Sequence, residues 1–184
     1  EKHLILTENG GELVFMFRGE ITEFQFYQNR KAEKLIMMPF CQEDLEMHGH
    51  NFFELAYITG GTAEHTLENE GKTISAGDYF FVDYGCLHGF QNCKNLTLIN
   101  CLFLPETVDE TLQGCRSFSQ LLQGCLLKYY RMSLGQAKFA RVFHDRDGQV
   151  GRLMQEMLLE YQEQKVGCYP LLRFKLLEIL LLTL

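Results

Sequence analysis

Between residues 4 and 103, short apolar stretches alternate with turn residues and no helical period intervenes, which predicts an all-β region. Asn9-Gly10-Gly11, set between LILTE and ELVFMFRG, predicts a hairpin, because Asn and Gly tolerate the positive φ of tight turns. Further strands are expected at 22–28, 34–39, 52–59, 62–67, 72–75, 78–82 and 96–104, punctuated by Gly60-Gly61, Asn69-Glu70-Gly71 and Tyr84-Gly85. Strands at this spacing argue for a sandwich or jelly roll.

After Pro105 the period changes. Phe118, Leu121, Leu122, Cys125, Leu126 and Tyr129 share one face at helical spacing, while 138–144 reads equally as a last strand or as part of a helix. Asp147 is placed to cap the next helix, whose apolar stripe is Val150, Leu153, Met154, Met157, Leu158 and Tyr161, with Arg152, Glu156, Glu160 and Glu163 outside. Gly167 is expected to close it and Pro170 to open a run, 171–184, that is apolar almost all round. Such a helix must be covered on several sides, by a second subunit or a further domain. The expected division is a β barrel over 1–105 and a helical, dimerising appendage over 106–184, with the stripe from Val150 to Tyr161 as the subunit contact.

Composition narrows the function classes. Hydrophobic content of 46% and charged content of 22% belong to an ordinary globular chain. A net charge of −7 supplies no overall positive field, so this stretch by itself is not expected to hold DNA strongly. The basic positions Lys128, Arg131, Lys138, Arg141, Arg146 and Arg152 read as a solvated face. Seven cysteines, an odd number with no C-x-x-C pair, together with the lack of a signal peptide, point to free thiols in a reducing cytoplasm. Arg173, Lys175 and Glu178 interrupt the leucine-rich end too often for a membrane span. A first residue that is not Met, and a last one inside a helical run, read as a piece cut from a longer protein.

The chemistry concentrates in HGHNFFELAYITGG and GDYFFVDYGCLHGFQN. His48 and His50 are two residues apart, so an extended strand points both to one face, and Glu54 keeps that parity. With His88 from a neighbouring strand, three imidazoles and a carboxylate suffice for one divalent ion: Zn, Ni, Fe, Mn or Co. The open alternative is a metal-free polar pocket in which the same groups hydrogen-bond a ligand or each other.

The two stretches resemble the paired motifs of the cupin superfamily. In the first, Gly61 follows Glu54 at the family spacing; in the second, Gly77, Gly85, His88 and Asn92 match, while Asp83 stands where the family usually has Pro. The resemblance implies a mainly β fold, a cupin double-stranded β-helix or jelly-roll barrel, followed here by C-terminal α-helices. A cupin barrel followed by paired helices is similar to the N-terminal half of AraC-type transcription regulators. That resemblance implies a barrel that binds a small-molecule effector (a sugar or small organic anion), helices that form a homodimer, and DNA binding only through a C-terminal helix-turn-helix domain absent from this chain.

Tyr57, His65, Phe80 and Tyr84 are candidate ligand-binding residues, with Tyr79 and Phe81 equally placed between pocket and core; for His65 a satisfied or exposed histidine is the preferred reading. His3 and His144 have no assigned role, and no residue is assigned as catalytic. The rival class is a stand-alone metal-dependent cupin enzyme, a dioxygenase or sugar isomerase, favoured by the full ligand set and opposed by the apolar final helix and the lack of an accompanying acid, base or substrate-clamping Arg.

Overall fold

The computed structural model describes residues 4–8, 11–15, 34–125 and 142–184, with side chains for 34–124 and 142–184. The strand expected at 22–28, the outer part of the helical stretch expected from Phe118 to Tyr129, and Lys128, Arg131, Lys138 and Arg141 lie outside the described residues. β1 (Leu4–Glu8) pairs antiparallel with β2 (Gly11–Phe15), as the Asn-Gly-Gly signal requires. The remaining strands form one antiparallel sheet: β3 (Leu35–Gln42), β4 (Leu45–His48), β5 (Phe53–Leu67), β6 (Glu70–Ser75), β7 (Asp78–Val82), β8 (His88–Phe103) and β9 (Val142–His144). Its order is β3-β8-β5-β7-β9, with β4 on the far half of β8 and β6 on the far half of β5.

The two long strands make the barrel. β5 and β8 pair from Phe53↔Phe103 through to Leu67↔His88. In that ladder Glu54 lies opposite Leu102, thirteen residues along β5 from Leu67, the partner of His88. A flat ladder would hold the two ends about 40 Å apart, yet Glu54 Oε2 lies 3.7 Å from His88 Nε2. The ribbon therefore curls until its ends meet inside it.

Gly60-Gly61 performs the bend. These residues do not end a strand, as the sequence suggested; the register shifts across Ile58, Gly60, Thr62 and Glu64 while β5 continues. Gly61 has φ of 74°, and a Cβ there would come within 2.2 Å of the Asn95 carbonyl oxygen, so only glycine fits.

Alternation along the strands builds two cores. Phe53, Leu55, Tyr79, Phe81, Ile99, Cys101 and Phe103 face the helices, where Phe118 stacks on Phe81 at 4.0 Å. Ala56, Ile58, Ala63, Leu67, Ile74, Phe80, Val82, Phe90, Leu96 and Leu98 fill the barrel. Each fully buried Leu or Phe contributes about 1.5–3 kcal/mol.

The helices are α1 (Phe118–Cys125), α2 (Gln149–Glu163) and α3 (Cys168–Leu182), with short 3-10 turns at Pro105–Thr107 and Glu110–Leu112. α2 begins differently from the sequence reading: Gly148, in the left-handed region, is its N-cap, and the carboxylate of Asp145, not that of Asp147, accepts the Gly151 N–H at 2.8 Å. α2 ends on left-handed Gln164, and Gly167 serves as the N-cap of α3. Val150, Leu153, Met154 and Met157 are buried against the sheet within the protomer, with Leu158 and Tyr161 partly buried beside them. Within the protomer α2 lies on β3, β5 and β8 and beside α3, so these residues of the stripe expected as a subunit contact are covered by the chain itself. Exposed large apolar residues gather on α3, at Leu171, Phe174, Leu181 and Leu182, with Leu87, Leu159, Val166 and Leu184 exposed elsewhere among the described residues.

Candidate metal centre

The site forms where the two motifs meet. β4 ends at His48, which pairs with His88 at the start of β8. His50 follows after Gly49, and its carbonyl accepts the Gly85 N–H at 2.8 Å, tying the first motif to the turn of the second. Asp83, in the position the family gives to Pro, accepts the N–H of Phe118 at 2.7 Å, so that turn is fastened to α1.

His48, His50, Glu54, His65 and His88 are each 3% exposed or less. His50, Glu54 and His88 place one ligand atom each within 4.8 Å of one another. His50 Nε2 lies 3.2 Å from Glu54 Oε2 but out of hydrogen-bond alignment, and both ring nitrogens of His88 lack a hydrogen-bond partner. His48, the fourth expected ligand, stands outside this group of three; its ring centroid is 4.2 Å from that of His88.

Backbone contacts select the tautomers. His48 Nδ1 lies 3.0 Å from the Glu46 carbonyl, and His50 Nδ1 lies 2.9 Å from the Phe52 carbonyl. Each Nδ1–H donates to its carbonyl, which leaves Nε2 with the lone pair, the arrangement that orients a metal-ligating imidazole. Phe52 also stacks on His50 at 4.1 Å. The electrostatics agree. Burial pushes the pKa of His48 down, partly offset by the Glu46 carbonyl. Burial drives that of His88 well below the usual histidine value, reinforced by the other imidazoles. Both shifts favour neutral rings at His48 and His88, the form that binds a cation.

The donor set fits a divalent transition metal. Donors bound to one ion at about 2.0–2.2 Å sit about 3–4 Å apart, so small side-chain movements would close the group of three. Two imidazoles and one carboxylate, with the His48 imidazole beside them, suit the borderline ions better than Ca or Mg, which prefer all-oxygen shells.

The ligand-lining candidates divide. His65 and Phe80 face the barrel, stacked on each other at 4.1 Å, and His65 lies 5.7 Å from His88 between ring centroids. His65 is neither exposed nor satisfied, contrary to the preferred sequence reading: both its nitrogens are buried without a partner, and burial takes its pKa down to about 4. Tyr57 and Tyr84 point away from the barrel. Tyr57 donates to Asp145 Oδ2 at 3.3 Å beneath α2, and Tyr84 packs edge-on against Phe53 with the Arg116 guanidinium over its ring at 4.6 Å. Tyr57 precedes the bulge and keeps the parity of Phe53 and Leu55, opposite to that of Glu54, whereas the tight turn at Tyr84-Gly85 interrupts the alternation before Tyr84. His144, given no role from sequence, holds Asp78 at 2.8 Å and joins β9 to β7. Asn100 was missed: it pairs with Ala56 on the barrel face of β8, and its Oδ1 is buried without a partner. Its signal was one amide in the otherwise apolar run LINCLF.

Fold and site together define a cupin barrel carrying C-terminal helices, with a buried histidine and carboxylate cluster. The family model for the AraC-like ligand binding domain matches residues 38–168, and the chain belongs to that family. Among curated relatives, the HTH-type transcriptional activator RhaR of Yersinia pseudotuberculosis is 29% identical over 67 residues, 36% of this chain and 23% of that protein. The HTH-type transcriptional activator RhaS of Citrobacter koseri is 29% identical over 89 residues, 48% of this chain and 32% of that protein. The matched stretches thus span less than a third of these relatives. Similar solved structures include an RmlC-like cupin from Shewanella frigidimarina, at 19% identity and TM-score 0.36, covering 55% of this chain and 84% of that one. KdgF from Halomonas sp. matches at 23% identity and TM-score 0.35, covering 38% of this chain and 69% of that one. No helix among the described residues is long and apolar enough to cross a membrane.

Proposed function

We propose that this chain is the effector-sensing and dimerisation domain of a cytoplasmic AraC-type transcription regulator, in which a divalent metal held by His50, Glu54 and His88, with His48 beside them, takes part in binding a small molecule inside the barrel. The observation that carries the metal is the buried group of three, in which His50 Nε2 and both nitrogens of His88 have no hydrogen-bond partner. Unpaired buried polar atoms cost about 1–3 kcal/mol each, and coordination removes that cost. The ion would act as a Lewis acid that attracts an anionic oxygen. His50 keeps its Nε2 lone pair available through its carbonyl contact.

Signal transfer follows from alternation. Glu54 lies between Phe53 and Leu55, which pack on the helices, so a shift of β5 at the site is also a shift under α2. An effector biases the regulator only as far as it binds two arrangements of barrel and helices with different affinity. DNA would be bound by a helix-turn-helix domain on the C-terminal side of α3, which the HTH-type relatives support. The rival reading, a metal-dependent cupin enzyme, draws on the same ligand cluster.

The test uses the protein of the whole reading frame. About one transition-metal ion per chain after dialysis, together with metal-dependent retention of a promoter fragment, supports the proposal. Protein that binds DNA but takes up none of Zn, Ni, Co, Mn or Fe removes the metal from it. Turnover of an offered substrate without DNA binding would replace the regulator with the enzyme.

A further inference from the structure

His65 is not one of the donors gathered around Glu54, yet it is 1% exposed and neither ring nitrogen has a hydrogen-bond partner among the described residues. A neutral imidazole offers one donor and one acceptor, and leaving both unmet in an apolar core is costly. Stacking on Phe80, with Phe90 at 4.9 Å, fixes its plane, and its centroid is 5.7 Å from that of His88, within the length of one small molecule. Asn100 Oδ1, also unpartnered, faces the same barrel core. A hydroxyl group, donor and acceptor at once, is the simplest partner for such groups.

Charge sets the rest of the ligand. Resting on the metal reading above, a dication with the single carboxylate of Glu54 leaves about one positive charge in the site. No Lys or Arg is among the described buried residues, so a second negative charge on a ligand would find no countercharge in the barrel. We propose that the effector is a short monoanionic hydroxy acid whose carboxylate is drawn to the metal centre and whose hydroxyl is hydrogen-bonded by His65. Ala56, Ile58 and Ala63, small or apolar residues of the barrel core, suit a short carbon chain.

The test loads the full chain with Co(II) and follows its visible absorption bands while lactate, propionate or malate is added. The bands of the cobalt protein are expected to change with lactate at about tenfold lower concentration than with propionate, which has the same charge but lacks the hydroxyl, or with the dianion malate. His65→Phe, which retains the ring stack, is expected to bind cobalt as before and to treat lactate and propionate alike. A lactate preference that survives in His65→Phe, or that the wild type never shows, overturns the role of His65 while leaving the metal reading intact. Should that variant not fold, the wild type decides through its imidazole nitrogen resonances: a shift of His65 with lactate and none with propionate upholds the assignment, and no shift with either overturns it. A wild-type chain that acquires no cobalt bands before any ligand is added sinks the metal reading and this inference together.

Discussion

At the scale of single residues, the site is held together by what its members lack. Glu54 supplies the carboxylate of the donor group, and His50 and His88 both approach it. Glu54→Gln preserves shape and removes the charge, so metal affinity is expected to fall by more than the 10–100-fold typical of losing an outer-shell partner. Competition with a chromophoric chelator measures this, and unchanged affinity would mean that the carboxylate is no ligand. The same burial makes the metal-free protein acid-sensitive. His65 has a folded pKa of about 4 against an ordinary 6.5, and those of His48 and His88 are also lowered. A lowered folded value means that the unfolded chain binds protons that the folded chain refuses. The stability from keeping these rings neutral is therefore full above about pH 6.5 and lost progressively as pH falls toward 4. Chemical denaturation of chelator-treated protein from pH 7.5 to 4.5 should show this decline. His65→Phe should make it shallower, and an equal slope in both would discount His65 as a contributor.

At the scale of elements, the contact that matters is α2 on β5. Gly151 lets the helix approach: a Cβ there would come within 2.3 Å of the Tyr57 hydroxyl. Alanine improves helix propensity by about 1 kcal/mol, but overpacking costs about 1–3 kcal/mol, so Gly151→Ala is expected to destabilise. Combining it with Tyr57→Ala should cost less than the sum of the two single changes; strict additivity would show that the two positions do not touch. Met157→Ala, within the same buried stripe, should cost about 2–5 kcal/mol in a denaturant titration. These elements also mark what the sequence could reveal. The strand at Asp78–Val82 and the hairpin at Asn9-Gly10-Gly11 were legible because local alternation and turn chemistry decide them. The convergence of His50, Glu54 and His88 was legible because the spacing within the two motifs brings all three to one place in the barrel. The continuous β5 was not, since Gly60-Gly61 reads as a turn until Asn95 is known to lie across from it. β4 was missed because LEMH, with two polar members and Asp44 before it, has little strand pattern of its own. The destination of the α2 stripe was hidden for a general reason: periodicity tells that a face is buried, not what buries it.

At the scale of the whole molecule, the largest group of exposed apolar residues among those described belongs to α3. Leu172, Leu176, Ile179 and Leu180 are buried inward, whereas Leu171, Phe174, Leu181 and Leu182 form a second stripe on the outside, with Phe174 60% and Leu181 56% exposed. Lys175 turns back to pair with Glu156 of α2, so Glu178 is the acidic residue left within that outer face. An exposed apolar stripe interrupted by one carboxylate favours burial against a copy of itself, and in a two-fold dimer the same residues serve both sides. The dimer contact proposed for this chain therefore moves from α2 to the outer face of α3. Sedimentation of the whole protein is expected to give a dimer, and Phe174→Asp or Leu181→Asp a monomer of unchanged circular dichroism and metal content. Leu172→Asp, which buries a charge in the inner face, should instead unfold the helical layer and strip stability from the protomer itself. A Phe174→Asp protein that still sediments as a dimer would place the subunit contact elsewhere and leave the outer stripe of α3 for a different domain of the same polypeptide.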